Sequence, residues 1–303
     1  IFISPDSELN RISFSALRSP KNSKKFINED YEIRLLTTGR ELITLNQNKK
    51  SFENSFVIAN PDFEKYLKNE SMNTPNITRN RANRSYDLET TRWSSLPGTE
   101  KEGELISSII NAGLYTGRKA TSNLIKNLNS FKILHIASHS YFLNDEEKSI
   151  KNNNYLSKSK RKEILFDAYK SKENPLLRSG IVLAGANNPN IKDNNDDGYL
   201  TALEITNLDW EETELVVISG CESGLGEIKS GEGVYGLKRS ISVAGAKSSL
   251  LSLWKVNDIA TAQFMEKFYK KLKAGQGRVE ALHNTQKEFR NGDIEGYRHP
   301  YYW

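Results

Sequence analysis

Short apolar runs alternate with longer segments of helical periodicity along most of the chain, from Phe56 onward. The runs Phe131–Ala137 and Glu214–Ser219 are almost continuously apolar, which is typical of parallel strands covered on both faces. This alternation predicts an α/β fold, a three-layer sandwich with a mostly parallel central sheet. The other predicted strands are Phe56–Asn60, Leu114–Tyr115, Ile181–Ala186 and Ser249–Val256, and the predicted helices are Thr99–Ala112, one capped by Thr121, Leu200–Leu208, Gly233–Ala244, Ile259–Leu272 and Val279–Phe289.

Polar segments divide this pattern. Asp62–Ser95 is Asn-rich and without period, so we expect a loop or insertion there. The helix after it is predicted to begin near Thr99, because Thr99 and Glu102 stand at capping-box spacing. A second polar segment, at about 144–173, is rich in Asn, Lys and Ser and is predicted to be a basic insertion.

The N-terminal part of the chain has a different pattern of apolar and polar residues from the rest. Its short apolar runs, separated by polar turns, predict an antiparallel β-hairpin region over residues 1–54, packed against an α/β core at 55–303. We expect the whole of 1–303 to form a single domain. The predicted N-terminal strands are Ile1–Ser4, Ile12–Ser15, Tyr31–Leu36 and Glu41–Leu45.

The composition excludes several classes of protein. A single cysteine in 303 residues rules out a disulfide-stabilised fold, and Cys221 with four scattered histidines cannot form a Cys-rich structural zinc site. This sparse use of thiols fits a reducing cytoplasm, and no apolar run reaches the ~20 residues of a membrane span. Because the sequence begins at Ile1 without an initiator Met or signal-peptide pattern, we expect a cytoplasmic piece of a longer protein.

The charge balance is modestly basic, with 43 Lys and Arg against 38 Asp and Glu, a net charge of +5. Positive residues concentrate in Arg18–Lys25 and Lys148–Lys172, where aromatic residues are not interleaved with them as a nucleic-acid surface would need. A solvated loop is the favoured interpretation, and no nucleic acid or membrane is expected as a partner. A nucleic-acid-binding module is the third functional class considered.

Two predicted strands end in residues that can perform acyl transfer. His139 follows Phe131–Ala137, and Cys221 follows Glu214–Ser219. If these two strands are neighbours in the sheet, both side chains lie at the same crevice. An imidazole there can deprotonate the thiol and later protonate the leaving amine. The Gly-flanked turn 220–224 can present amide N–H groups to an oxyanion. The alternative, which spacing alone favours, is that Cys221 is an inert buried side chain.

A set of short motifs in order along nearly the whole chain resembles the CHAT domain, a caspase-like cysteine peptidase module related to separase. The resemblance implies a three-layer caspase-like sandwich. The motifs are Ile3–Asp6 with Leu9, Leu96–Glu100, Ala120–Thr121, His135–His139, Asp197–Ile205, Ser219–Gly226, Gly231–Gly233, Ala244–Ala246, Leu253–Thr261 and His299–Trp303.

The resemblance implies a cysteine endopeptidase with Cys221 as nucleophile and His139 as general base, and an oxyanion hole from the backbone amides of Ser140 and Cys221. His135 is implied to be structural. The family usually has Gly where Ser140 stands. Because the donor to the oxyanion is the backbone N–H, we expect Ser140 to retain this function. The family's closing strand normally follows the position of Trp303, where this sequence ends. The alternative function is a catalytically silent scaffold that binds a protein partner through the same crevice.

The resemblance also implies a biological setting. The domain would be the effector part of a prokaryotic signalling or defence protein, with a protein substrate and an activating partner or upstream helical-repeat region. No cofactor is expected.

Asp258 matches the acidic position that in separase-like enzymes faces the primary specificity pocket, where a carboxylate would favour Arg or Lys before the scissile bond. The alternative is that Asp258 is the N-cap of the following helix. Trp254 is expected either to wall the same pocket or to be a buried aromatic on a core strand.

A calcium loop is a further alternative. Asp193, Asn195, Asp197, Gly198 and Glu204 match the EF-hand spacing. The segment before Asp193 contains Pro189 and cannot be an entering helix, so the pattern favours a turn and helix start over a metal site.

Overall fold

A computed structural model describes residues 1–6, 9–10, 12–44, 52–64, 85, 88, 91–129, 131–143, 174–188, 196–220, 226–229, 233–254 and 257–303. The basic insertion expected at about 144–173 therefore lies outside the described residues. The strands are β1 (Phe2–Ile3), β2 (Arg34–Leu35), β3 (Ser55–Pro61), β4 (Gly113–Gly117), β5 (Ile133–Ala137), β6 (Ser140–Phe142), β7 (Ser179–Val182), β8 (Tyr199–Thr201), β9 (Leu215–Ile218), β10 (Gly226–Lys229), β11 (Gly233–Gly236) and β12 (Ser249–Leu251). The helices are α1 (Ile27–Asp30), α2 (Glu41–Thr44), α3 (Pro97–Ile110), α4 (Ser122–Lys126), α5 (Ala202–Ile205), α6 (Leu237–Val243), α7 (Asp258–Lys273) and α8 (Arg278–Asn291).

A five-stranded sheet forms the centre, in the order β12-β9-β5-β3-β4, and every neighbouring pair is parallel. Successive side chains of a strand point to opposite faces, so β5 sends Leu134 and Ile136 to one hydrophobic cluster and Ile133 to another. The first cluster includes residues of α4, α5 and α6, and the second residues of α3, α7 and α8. The predicted three-layer α/β sandwich is confirmed.

The α3 helix packs unusually close to the sheet. A Cβ added to Gly103 would lie 2.5 Å from the Ala59 Cβ of β3, so only glycine allows this approach. The helix begins at Pro97, two residues before the predicted Thr99, and the predicted capping box is wrong. Proline suits the first helical position. The Thr99 hydroxyl instead donates to Leu96 O and accepts from Asn60 N.

A second, antiparallel sheet in the order β6-β7-β8 begins directly after β5. Only two residues, Ser138 and His139, separate β5 from β6. The predicted strand at 181–186 overlaps β7. This strand pairs antiparallel with β6 and therefore belongs to the second sheet and not to the central one. The turn between the two sheets therefore carries the candidate base.

The N-terminal hairpin predicted for residues 1–54 is wrong in its pairing. β1 and β2 run parallel, and the antiparallel contact in this part of the described chain is an isolated bridge between Arg18 and Phe26. Parallel strands need a long crossover, which here contains α1. That helix is anchored on α8, where Arg290 donates to Asn28. The predicted strand at 41–45 is instead the helix α2.

Two further boundaries differ from the sequence prediction. β12 ends at Leu251, well before the predicted Val256. The predicted helix at 233–244 begins only at Leu237, because Gly233–Gly236 pairs with β10 as β11. Val243, the last residue of α6, is 59% exposed. Among the described residues, no helix combines the length and apolar character that a membrane crossing requires.

Candidate active site

The carboxyl ends of β5 and β9 meet at one edge of the central sheet. These strands are neighbours, with Ile136 opposite Ile218, and Ser219 N donates to Ile136 O over 2.8 Å. The loops that carry His139 and Cys221 therefore leave the sheet side by side. This is the adjacency on which the predicted dyad depends.

Gly220 lies against the turn that contains His139. A Cβ at Gly220 would be 2.5 Å from Ser138 O and 3.0 Å from Ser140 Oγ, so this contact requires glycine. The Ser252 hydroxyl, from the loop after β12, donates to Gly220 O. Cys221 is the next residue along the chain and lies outside the described residues. The catalytic pairing of Cys221 with His139 thus stays a prediction.

The direction of the Ser140 amide follows from its place in the β6–β7 ladder. Ser140 is opposite Ile181 in the β6–β7 ladder, and Val182 N donates to His139 O. In an antiparallel ladder this pattern turns the amide of Ser140 away from β7. Its nitrogen is 3.4 Å from the Cβ position of Gly220, on the side of the residue that precedes Cys221.

The His139 ring is half-buried and contacts two aromatic rings. Its centroid lies 5.4 Å from that of Phe63 and 5.2 Å from that of Trp93. Phe63 is 3% exposed and belongs to a third hydrophobic cluster, together with Tyr141 and other residues. These contacts restrict the imidazole to a narrow range of positions above the end of β5.

A backbone carbonyl selects the tautomer of the neutral His139 ring. Its Nε2 is 2.9 Å from Ser94 O, and a carbonyl oxygen can only accept a hydrogen bond, so Nε2 carries the hydrogen. In the neutral ring Nδ1 then holds the lone pair. In this tautomer, Nδ1 is the ring nitrogen that can accept a proton. That Ser94 is the partner of His139 was not predicted from the sequence. The one sequence signal for this contact is the neighbouring Trp93, an aromatic residue in an otherwise polar loop.

The other histidine of this strand, His135, is fully buried on the opposite side of the core. Its Nδ1 is 3.1 Å from Tyr269 Oη, and its Nε2 is 3.2 Å from Glu102 Oε1, without the alignment of a hydrogen bond. Burial raises the pKa of Tyr269 well above its ordinary value, and the nearby Glu102 carboxylate adds to the effect. This arrangement joins α3, β5 and α7 inside the core.

Comparison with protein families gives one decisive match. The sequence model described as the CHAT domain matches residues 1–303, the whole chain. The chain belongs to the CHAT domain family. This family is associated with the caspase-like cysteine peptidase fold, in agreement with the central sheet described above. A comparison with curated proteins finds no match.

Asp258 lies at the start of α7 in the CHAT domain, with its side chain exposed. The alternative that it is the N-cap is wrong, because that position is Asn257, whose side chain accepts from Ala260 N over 3.0 Å. The Asp258 Cβ is 3.9 Å from the Cβ position of Gly98, at the start of α3. Gly98 is four positions along the chain from Ser94, the partner of His139, a span of at most ~14 Å. Asp258 is therefore on the same edge of the sheet as His139.

Trp254 is half-buried and lies beyond the end of β12, so it is not an aromatic of the core strand. Its Nε1 donates to Tyr301 O over 3.0 Å. The loop that carries Trp254 also carries Ser252, which contacts Gly220. The indole is thus fixed next to the loops of the candidate site by the C-terminal segment.

The described part of the predicted calcium loop is occupied by protein contacts. Glu204 Oε1 is 2.8 Å from Lys126 Nζ, and Oε2 accepts from Thr201 N over 2.9 Å as part of a capping box. Asp197 Oδ1 accepts from Tyr199 N. Asp193 and Asn195 lie outside the described residues. A calcium ion would have to displace the partners of Glu204.

A cleft of about 470 Å³, which was not anticipated from the sequence, lies beside His139. It is formed by the end of β3 and the segment 92–95. Its lining residues Phe63, Trp93 and Ser94 are also the residues that contact His139. The full lining is Pro61, Asp62, Phe63, Glu64, Arg92, Trp93, Ser94 and Ser95.

Proposed function

We propose that this CHAT domain is a cysteine endopeptidase that hydrolyses peptide bonds in a protein substrate with a dyad of Cys221 and His139. The observation that carries the proposal is the packing of Gly220 against Ser138 and Ser140, at the ends of neighbouring strands. Family membership supports the same chemistry, since the family is associated with the caspase-like peptidase fold.

The orientation of the base supports a defined proton path. His139 Nδ1 takes the proton of the Cys221 thiol, and the thiolate attacks the substrate carbonyl carbon to form a tetrahedral oxyanion. The amides of Ser140 and Cys221 donate to that oxyanion. Nδ1 then delivers the proton to the leaving amine as the C–N bond breaks, which leaves a thioester on Cys221. Water loses a proton to His139, attacks the thioester and releases the acid and the thiol.

The proposal extends to specificity and context. Asp258 would favour Arg or Lys before the scissile bond, supported by its exposed position on the edge that carries His139. The domain would act as the effector part of a prokaryotic signalling or defence protein, activated by a protein partner or an upstream helical-repeat region, without a cofactor.

Selective alkylation tests the dyad without knowledge of the substrate. Cys221 is the only cysteine in the sequence, so the rate of reaction with iodoacetamide reports this residue alone. An ordinary thiol is only about 0.3% thiolate at pH 6. We expect the wild-type protein to react at pH 6 at least about ten-fold faster than the His139→Gln variant, because the imidazole stabilises the thiolate. His283→Gln, an unrelated histidine on α8, is the matched control.

Peptide cleavage provides the second arm of the test. We expect wild-type protein to cleave Arg-ended reporter peptides in preference to Asp-ended ones, and Cys221→Ala and His139→Gln to abolish cleavage. Asp258→Asn should remove the preference for Arg, whereas Glu280→Gln, which removes an acid from the first turn of α8, should not. Equal alkylation rates together with the absence of cleavage, with or without a partner, would identify a catalytically silent scaffold instead.

A further inference from the structure

The cleft beside His139 has a defined place in the order of the sheet. Along the carboxyl edge, the strands β9, β5 and β3 are consecutive, and they lead respectively to Gly220, His139 and the cleft. The base therefore stands between the residue that precedes Cys221 and the cleft. The two sides of the base are distinct surfaces, and the cleft is on the side away from β9.

This order separates the two halves of a bound peptide. The acyl half of the substrate becomes attached to Cys221, on the β9 side. The amine of the leaving half receives its proton from His139, so it must lie within hydrogen-bond reach of the imidazole. The residues that follow the scissile bond then continue past His139 toward the wall formed by Phe63, Trp93 and Ser94.

The charges of the cleft favour a basic occupant. Glu64 Oε1 is held by Arg92 Nη2 at 2.8 Å and by Asn187 Nδ2 at 2.8 Å, so this acid and Arg92 balance one another. Asp62 Oδ1 accepts only the backbone N–H of Glu64, and in the described part of the chain no cation pairs with it. The cleft thus contains one carboxylate without a cation partner among the described residues, and the Trp93 side chain belongs to the same lining. A carboxylate and an aromatic face together suit a Lys or Arg side chain.

We infer that the cleft binds the leaving half of the substrate and selects a Lys or Arg side chain shortly after the scissile bond, through Asp62 and Trp93. This inference rests on the proposed function, because it assigns the cleft to the same reaction. It adds a second specificity site to that of Asp258, on the opposite side of the bond that is cleaved.

A peptide library digested by the wild-type protein, with the new N-termini sequenced, tests the inference. We expect Lys and Arg to exceed Glu and Asp near the new N-termini by about ten-fold, the lower end of what one hydrogen bond to a charged group contributes. Asp62→Asn should remove this enrichment and leave the residues before the scissile bond unchanged. The variant keeps the oxygen that accepts from Glu64 N, so the local backbone bond is retained.

Asp258→Asn is the matched variant, with the opposite expectation. It should change the residues before the scissile bond and leave those after it unchanged. Enrichment that survives in Asp62→Asn, or cleavage without any preference after the bond, would overturn the inference and leave the proposed function intact.

Absence of any cleavage, with slow alkylation of Cys221, would instead overturn the proposed function. The cleft is then tested by binding alone, with the Cys221→Ala protein and C-terminally labelled Ala-Lys-Ala-Ala and Ala-Glu-Ala-Ala peptides. Tighter binding of the Lys peptide, lost in Asp62→Asn, supports the cleft as a site for basic peptides. Equal binding of the two peptides overturns it.

Discussion

Two histidines four residues apart on one segment of chain have opposite surroundings. His135, inside β5, is fully buried between Glu102 and Tyr269, and its neighbours come from helices on one face of the sheet. His139, just beyond the strand, is half-buried against Phe63 and Trp93, and its Nε2 faces a backbone carbonyl. The difference follows from position relative to the end of the strand. A ring inside the strand is confined to the core, whereas a ring in the loop can meet a substrate.

The surroundings of His135 indicate a structural role, and those of His139 agree with its proposed role as the base. The polar atoms around His135 have lost their contact with water, so each depends on the others for compensation. The polar partner of His139 is a loop carbonyl at the edge of a cleft that is open to water. The same substitution at the two positions should therefore have separate consequences.

The largest effect is expected from His135→Leu. It leaves the hydroxyl of Tyr269 without its ring-nitrogen partner and places an apolar side chain against the buried carboxyl of Glu102, at a cost of about 2–4 kcal/mol in the free energy of unfolding. His139→Leu should change that free energy by less than about 1 kcal/mol while it abolishes peptidase activity. Urea unfolding followed by circular dichroism, together with a peptidase assay, measures both.

A double substitution checks the reason for the His135 effect. Adding Glu102→Leu to His135→Leu removes the unpartnered carboxyl and should recover part of the lost stability. Equal stabilities of His135→Leu and the wild-type protein would contradict the role assigned to this buried group.

Two glycines provide a matched pair with a smaller expected effect. A Cβ at Gly103 or at Gly220 would lie 2.5 Å from its nearest neighbour, Ala59 Cβ or Ser138 O respectively. Gly103→Ala should lower the free energy of unfolding by about 1–3 kcal/mol through overpacking, with activity little changed. Gly220→Ala should lower peptidase activity about 100-fold, because it pushes the loops of nucleophile and base apart. Thermal melts and peptidase kinetics measure both quantities. If the two variants lost stability and activity to similar extents, the assignment of Gly103 to the core and Gly220 to the site would be contradicted.

The smallest effect concerns alkaline pH. The pKa of Tyr269 is raised in the folded protein, so the unfolded chain loses this proton first, near pH 10. The contribution of Tyr269 to stability is therefore complete below about pH 10 and declines above it, by at most ~1.4 kcal/mol per pH unit. Tyr269→Phe removes this decline. Its stability should fall less steeply than that of the wild-type protein between pH 10 and 11, as thermal melts can measure. Parallel curves would argue against a buried, protonated hydroxyl.

Much of the central sheet could be predicted from the sequence, because its signals are local. β5 and β9 are almost continuous apolar runs, and Thr121 caps α4 as predicted, accepting from Leu124 N. The parallel β1–β2 pair could not be predicted in this way, because its partner strands are separated by a crossover docked on α8.

The limits are similar at the candidate site. His139 and Cys221 follow recognisable strands, so the two loops could be named from the sequence, and the structure adds that β5 and β9 are neighbours. The start of α3 was misplaced, because Thr99 has a hydroxyl that suits a cap but is used for a bond with Asn60. The contact between His139 and Ser94 joins residues 45 positions apart through a main-chain atom, and no side-chain type encodes it.

The use of a main-chain carbonyl to orient His139 has a consequence for how this site tolerates genetic change. Any residue at position 94 carries the same oxygen, so substitutions there preserve the tautomer of the base as long as the loop keeps its path. Natural variation in the side chain at position 94 would therefore not show that the carbonyl of this residue orients His139. A scan of single alanine substitutions would also miss position 94. It would detect Trp93 instead, because the Trp93 ring packs against His139.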